Sequence, residues 1–442
     1  MIKEKKIVET VISSSWIFTA NDDDKLLNNH SVVIDGGMIV DIIDSDSVFN
    51  IYDAKEVYQL TDQLLIPGLI NAHTHLAMSL LKGYADDLEL SVWLNKHIWP
   101  AEKSFISPQF VSDGSRLAIA EMLKGGITTF NDMYFYPQAT AEVSKDIGIR
   151  ANIGLVVMDF PTGYASDPQD YINKGLDFRD TWRDNPLITT SIAPHAPYSL
   201  SDESFSMIGT YANQLQMTIH THLHETLREV EESLQKFNMT PIQRLDKLGI
   251  LGPNLTAAHC VHLNDADISI LEKNQVNVIH NPSSNMKLGS GIANIKGIFA
   301  KGINIGLGSD SSASNNRLDI ITEIRAALLL QKGVSQDAEF LKPFDAIKMA
   351  TINAAKAIGL DKNIGSIEYG KRADIVAINL NSIECQPCFD PLSTFVYSAD
   401  KNSVSHVWVD GNIKVKKNFL VNIDEDKLIH NAKLWQIKIK KI

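Results

Sequence analysis

Eight short apolar stretches, each ending in polar or ionisable residues, recur through the middle of this chain: GLINAHTH, GITTFNDM, RANIGLVV, LITTSIAPHAPYS, MTIHTHLHE, LTAAHCVH, VNVIHNP and INIGLGSD. Short runs rich in Ile, Val and Leu read as buried strands. Between most of them lie helical patterns such as SPQFVSDGSRLAIAEMLKG and SDESFSMIGTYANQLQ, the second opening on a capping signal near Ser201 with acidic residues behind it. Eight alternating strand–helix units predict a (β/α)8 TIM barrel, whose functional residues collect at the C-terminal ends of the strands. An open doubly wound sheet is the competing architecture. It would carry a glycine-rich phosphate loop after its first strand, and the chain has no GxGxxG there and no Walker loop.

The two ends have a different texture. KIVETVISSSWIFTA, HSVVIDGGMIVDII and EVYQL come first, and ADIVAINL and SVSHVWVDGNIKVKKNFLV come last. Both sets alternate apolar with polar residues around Asp-Gly turns, the signal of short strands joined by hairpins. They predict a small β-sandwich domain built from both chain ends. The expected division is residues 1–66 and 371–442 for that domain and 67–370 for the barrel.

Composition narrows the partners. A net charge of -12 argues against nucleic acid or an anionic membrane, because phosphate-rich surfaces attract basic patches. No run approaches the roughly 18 apolar residues of a membrane span, and MIKEKKIVETVISSSWIFTANDDD lacks the apolar core of a secretion signal. The three cysteines, Cys260 and the ECQPC pair Cys385 and Cys388, read as reduced thiols; no second pair completes a four-cysteine zinc site. A soluble cytoplasmic protein acting on a small molecule is expected.

Nine of the 13 histidines fall in or just after the strand-like stretches: His73, His75, His195, His220, His222, His224, His259, His262 and His280. Imidazole is the commonest metal ligand and titrates near neutrality. In a strand, residues i and i+2 share a face, so His73 and His75 can reach one ion. Asp310 ends the eighth stretch, which neighbours the first in a closed barrel, and a fifth-strand histidine would join them. Alternation alone leaves His220, His222 and His224 open for that place. Three histidines and an aspartate suit Zn2+, Fe2+ or Mn2+ with room for a water.

PGLINAHTHLAMSLLKG, HLHET, AAHCVHL, HNPSSNMKLGSG and GLGSDSSASNN together resemble the amidohydrolase superfamily, and within it the methylthioadenosine/S-adenosylhomocysteine deaminases. The resemblance runs from about Pro67 to GSIEYGKRADIVAI. It implies one divalent metal ion per subunit, Zn2+ first, held by His73, His75, His222 and Asp310. It makes Glu225 the general acid that protonates N1 of an adenine ring, with His259 facing the attacking oxygen and Asp310 accepting the water's proton. It implies Glu102 on the ribose hydroxyls, His195 on the purine nucleoside, Trp93 as an aromatic beside it, and a homodimer. His224 is left as a substrate contact or a support, His262 as a support, His280 without a role, and His220 as a hydrogen-bonded core residue.

Plainer roles compete for some of these residues. Glu102 lies outside the strand-end pattern and would also fit a surface helix, His195 could merely orient its loop, and Trp93 could be core. Glu225 could cap the helix that follows it, which is compatible with catalysis. The implied deaminases that accept S-adenosylhomocysteine carry arginines in and after the third strand, whereas Ile153–Tyr171 here holds neither arginine nor lysine. Val156, Met158, Phe160 and Pro161 suit a methylthio group instead, so 5'-methylthioadenosine is the expected preferred substrate, with S-adenosylhomocysteine and adenosine behind it. Ser311 replaces the more usual glycine after the metal aspartate.

Guanine or pterin deamination and triazine hydrolysis are the alternatives within the superfamily. A two-metal cyclic-amide hydrolase would need a lysine at the end of the fourth strand, where ITTSIAPHAPYS has none. A non-catalytic barrel would have lost a ligand or the acid. Zinc cytidine-type deaminases need an HxE that does not accompany ECQPC.

Overall fold

The computed structural model describes residues 5–21, 23 and 26–441. The first four residues of the N-terminal stretch read above lie outside them.

All eight predicted stretches are parallel strands of one sheet: Leu69–Thr74, Ile127–Tyr134, Arg150–Val157, Ile188–Pro194, Thr218–Leu223, Leu255–His259, Asn277–His280 and Ile305–Leu307. Helices such as Pro108–Lys124 and Asp202–Leu215 connect them and cover the outside. The strands are buried almost throughout because helices cover one face and the barrel interior the other. The eighth strand is short, and side chains complete the closure to the first. The Asp310 amide donates to His73 O at 3.0 Å, the Ser309 amide to Asn71 Oδ1 at 2.9 Å, and Asn71 Nδ2 to Ser309 Oγ at 2.6 Å. Gly308 is required at this seam, since a Cβ there would lie 2.4 Å from Asn281 Oδ1 and 2.8 Å from His73 Cβ.

Strands from both chain ends form a second, mixed sheet of eight strands. Its centre is the 16-residue strand Tyr52–Pro67, parallel to Lys6–Phe18 on one side and antiparallel to Ile375–Asn379 on the other. The sheet folds over on itself around Ile12, Val32, Ile39, Leu65, Ile375 and Trp408, so that its two Asp-Gly hairpins meet. A Cβ on Gly411 would sit 2.8 Å from Gly37 Cα. The central strand then runs through Gly68 into the first barrel strand.

A buried ion pair locks this sheet to the floor of the barrel. Arg150, which begins the third barrel strand, donates from Nε to Asp374 Oδ2 at 2.9 Å and from Nη2 to Asp374 Oδ1 at 3.1 Å. Asp410 Oδ1 adds a third contact at 3.3 Å, and Pro186 O takes Nη1 at 3.0 Å. Arg150 therefore braces the barrel floor, away from the strand ends where substrate contacts gather. Removing one charge from such a pair strands the other, which typically costs roughly 3–5 kcal/mol. Asp374→Asn is expected to destabilise the protein by about that amount in chemical denaturation; a loss below about 1 kcal/mol would show that Asp410 alone balances the guanidinium.

No helix among the described residues is long and apolar enough to cross a membrane.

Candidate metal centre and nucleoside cavity

Among the described residues, His73, His75, His222 and Asp310 form a cluster whose ligand atoms all lie within 4.8 Å of one another. The first strand and the turn after it supply two histidines, the fifth strand the third, and the residue past the eighth strand the carboxylate. Asp310 Oδ1 is 3.3 Å from Nε2 of His73 and 3.3 Å from Nε2 of His75. The Nε2 atoms of His75 and His222 stand 3.2 Å apart.

Each ligand is anchored from behind, which sets its orientation and tautomer. His75 Nδ1 donates to Met133 O at 2.7 Å and His222 Nδ1 to His195 O at 2.6 Å. Carbonyl oxygens only accept, so in the neutral rings both Nε2 atoms carry lone pairs, and those lone pairs face each other. A shared cation relieves that repulsion. His73 Nε2 is likewise buried, with no hydrogen-bond partner among the described residues, while its Nδ1 lies 2.9 Å from His220 Nε2. Asp310 Oδ2 accepts from Ser284 Oγ at 2.6 Å and Ser314 Oγ at 3.0 Å. Desolvation pushes the pKa of His73 down to about 4 and that of His222 well below its usual value. Burial works against ionised Asp310, yet the His73 and His75 rings, each 3.3 Å from its Oδ1, hold it well below the ordinary carboxylate range. Burial works against a charged His75, but Asp310 beside it raises that ring's pKa; imidazoles around an ionised carboxylate are what a divalent cation binds, and the group fits one such ion.

Asp310 takes a left-handed backbone, with φ +59°. Such strain costs of order 1–3 kcal/mol and gathers at functional sites. Ser311 is relaxed at φ −75° and caps the short helix that follows, so serine is accommodated where glycine was the more usual residue.

Glu225 follows His224, whose φ is +53°. The loop is held by Glu229, which accepts the Glu225 amide at 2.9 Å and the His224 amide at 3.2 Å. Glu225 Oε1 accepts from Ser290 Oγ at 3.2 Å, and its Oε2 lies 3.8 Å from His259 Nε2. Burial raises the pKa of Glu225 above the ordinary range and pushes Glu229 up to about 7. His259 is oriented by Asn285 Oδ1, 2.8 Å from its Nδ1, and its buried Nε2 has no hydrogen-bond partner. His262 bonds Ser290 O at 2.6 Å and so supports the segment that touches Glu225. His224 bonds His262 O at 2.8 Å and accepts the Ile242 amide at 3.2 Å. It does not line the cavity, so of its two expected roles only support remains. His220 sits behind His73 and 3.2 Å from Asn131 Nδ2. His280 is buried, with neither ring nitrogen hydrogen-bonded among the described residues.

A cavity of about 430 Å³ opens from the cluster to solvent, within the ordinary size range of small-molecule sites. Its inner wall includes His75, His195, His222, Glu225, His259 and Asp310. Glu102 and Trp93, remote from any strand end, also line it. Glu102 Oε1 accepts from Tyr134 at 2.7 Å, and burial pushes its pKa up to about 7. This fixes one oxygen and leaves the other available, so Glu102 is no surface helix residue. Trp93 is buried, and its Nε1 has no hydrogen-bond partner among the described residues. His195 Nδ1 lies 3.1 Å from Ser199 Oγ, and burial lowers the ring's pKa to about 3, so the imidazole is neutral. Val156, Met158, Phe160 and Pro161 line the outer part. Tyr134, Ser284, Ser290, Ser314 and Glu229 escaped the sequence. Thr226 and Glu229 have capping-box spacing, but that pattern would send Glu229 to the Thr226 amide, not to the two residues before it.

A (β/α)8 barrel carrying three histidines and an aspartate at its strand ends, beside a buried glutamate, defines a metal-assisted hydrolase. Residues 64–414 match the profile described as "Amidohydrolase family", and the chain belongs to that family. It is 43% identical over 436 residues to a Saccharophagus degradans protein named 5-methylthioadenosine/S-adenosylhomocysteine deaminase, covering 99% of this chain and 98% of that one. The Aquifex aeolicus protein of the same name is 36% identical over 88% of this chain and 90% of its own. A zinc-bound crystal structure of an adenosine deaminase from Xanthomonas campestris superposes with a TM-score of 0.98 at 39% identity, covering 99% of this chain and 100% of that one. Atrazine chlorohydrolase TrzN of Arthrobacter aurescens reaches a TM-score of 0.90 at 22% identity, over 96% and 99% of the two chains, and shares the fold.

Proposed function

We propose that this chain is a zinc-dependent hydrolytic deaminase that converts the 6-amino group of an adenine nucleoside to the inosine-type product and ammonia, with 5'-methylthioadenosine preferred. The observation that carries the proposal is the pairing of the His73, His75, His222 and Asp310 cluster with Glu225 on one side and Glu102 further out. A free base such as guanine has no ribose for Glu102 to hold, which favours a nucleoside over the guanine, pterin and triazine alternatives. The relatives' shared name points the same way.

A divalent ion held by the cluster would make a water acidic enough to attack at neutral pH. The remaining steps belong to side chains. Glu225, whose pKa burial raises, gives its proton to N1 as oxygen adds to C6. His259 faces the incoming oxygen. Asp310 accepts the proton that the water loses and returns it to the departing amine; the proton left on the added oxygen passes to Glu225, restoring the acid, as the C6–N bond breaks and ammonia leaves. Glu102 accepts from the ribose diol through the oxygen that Tyr134 leaves free, and His195 and Trp93 hold the purine. We extend the proposal to a cytoplasmic homodimer. Three unpaired cysteines are in keeping with a reducing compartment.

Ammonia release from 5'-methylthioadenosine, S-adenosylhomocysteine, adenosine and guanine tests the assignment. We expect kcat/KM to be highest for 5'-methylthioadenosine, because Val156, Met158, Phe160 and Pro161 make the outer wall apolar. Comparable values for S-adenosylhomocysteine would sink the preference, and activity on guanine alone would sink the nucleoside.

A further inference from the structure

We infer that Lys103 is a specificity residue that admits a substrate carboxylate at the mouth of the cavity. The inference rests on the nucleoside deamination proposed above. Of the residues lining the cavity, Lys103 alone is a lysine or arginine. Its side chain is exposed and makes no hydrogen bond or ion pair among the described residues. An ammonium group with no internal partner, on the wall of an otherwise apolar opening, is available to a ligand.

Its position suits one part of the substrate. Lys103 follows Glu102 on the helix Trp99–Phe105, and neighbouring Cα atoms are about 3.8 Å apart. It shares a helix face with Trp99 and Ile106, four residues before and three after, and both also line the cavity. Trp99 and Phe160 stand 6.5 Å apart and are 36% and 40% exposed, which marks this region as the mouth. With C6 at Glu225 and the ribose diol at Glu102, the 5' position lies on the mouth side. A methylthio group ends among Phe160 and Pro161. A homocysteine extension continues outward and carries an α-carboxylate, for which Lys103 is the available cation.

Lysine here does a weaker version of an arginine's task. An ammonium is a point charge, whereas a guanidinium clamps a carboxylate with two parallel donors. At an exposed position the attraction is also screened by salt. S-adenosylhomocysteine is therefore turned over, but below 5'-methylthioadenosine, and through a contact that the smaller substrate does not use.

The test measures kcat/KM of wild type, Lys103→Met and Lys103→Arg on both substrates at low and high salt. For S-adenosylhomocysteine, Lys103→Met should lose about tenfold at low salt, Lys103→Arg should keep or improve on wild type, and high salt should lower wild type towards the methionine variant. For 5'-methylthioadenosine the three proteins should match. Equal losses on both substrates would mean that Lys103 only supports the helix, and would overturn the inference. So would no loss on either, or a wild type active on 5'-methylthioadenosine and inert on S-adenosylhomocysteine. A wild type inert on both and on adenosine would overturn the nucleoside assignment as well.

Discussion

Replacing Glu225 with glutamine should lower kcat on the best nucleoside substrate by about 10²–10⁴-fold, the range typical of a positioned proton donor. Glutamine keeps the size of the side chain and can still meet Ser290, but it has no acidic proton to give N1. The neighbouring ligands are untouched, so the variant should bind metal as wild type does. KM should change little, because the contribution of the proton is made in the transition state. The pH profile supplies a second readout. Burial raises the pKa of Glu225, which widens the pH range over which the wild type holds the proton; it is lost as pH rises through that raised value. Wild-type kcat should fall on the alkaline side for this reason, and the residual activity of Glu225→Gln should lack that limb. Full activity in the variant would remove Glu225 from the role of acid.

Stripping the metal with a chelator should abolish activity and lower the melting temperature. Without a cation the lone pairs on Nε2 of His75 and His222 are apposed at 3.2 Å, and His73 Nε2 is buried without a partner. An ion that binds only the folded state, at a thousand times its Kd, adds about 4 kcal/mol of stability, and that amount should vanish on chelation. Adding back Zn2+ should restore both properties in the wild type. In His222→Ala neither should return, since the ring that completes the cluster is gone. A chelated protein shown by metal analysis to be empty, yet fully active, would refute the metal's part.

The barrel strands were legible because each is a local signal: a few consecutive apolar residues ending in polar ones. The ligand set was legible almost as well. His73 and His75 needed only strand alternation, and Asp310 needed only the closure that puts the eighth strand beside the first. His220, His222 and His224 were different. All three lie on or next to the same strand, so alternation could not rank them. The family resemblance did, by assigning His222, and the backbone gives the physical reason: His224 turns into the left-handed region and points to His262 O, while His220 sits one pair of residues deeper behind His73.

Glu102 shows the limit most clearly. In the chain it is one glutamate on a short helix, with no periodicity to mark it. It becomes a cavity residue because Tyr134, 32 positions on, donates to it. Lys103 is unmarked in the sequence for the same reason: a cation is expected within Ile153–Tyr171, whereas the cavity wall is also made from a helix far earlier in the chain.

By itself, the sequence determined the barrel, the two-ended β domain, the metal-ligand residues and the glutamate beside them, since all follow from patterns spanning a few neighbouring residues or from motifs carried whole. Only the tertiary structure decided which way each imidazole faces, what raises the pKa of Glu225 and which cation lines the cavity. Those properties depend on burial and on hydrogen bonds between residues brought together from distant parts of the chain, such as His75 with Met133, His222 with His195 and Ser284 with Asp310.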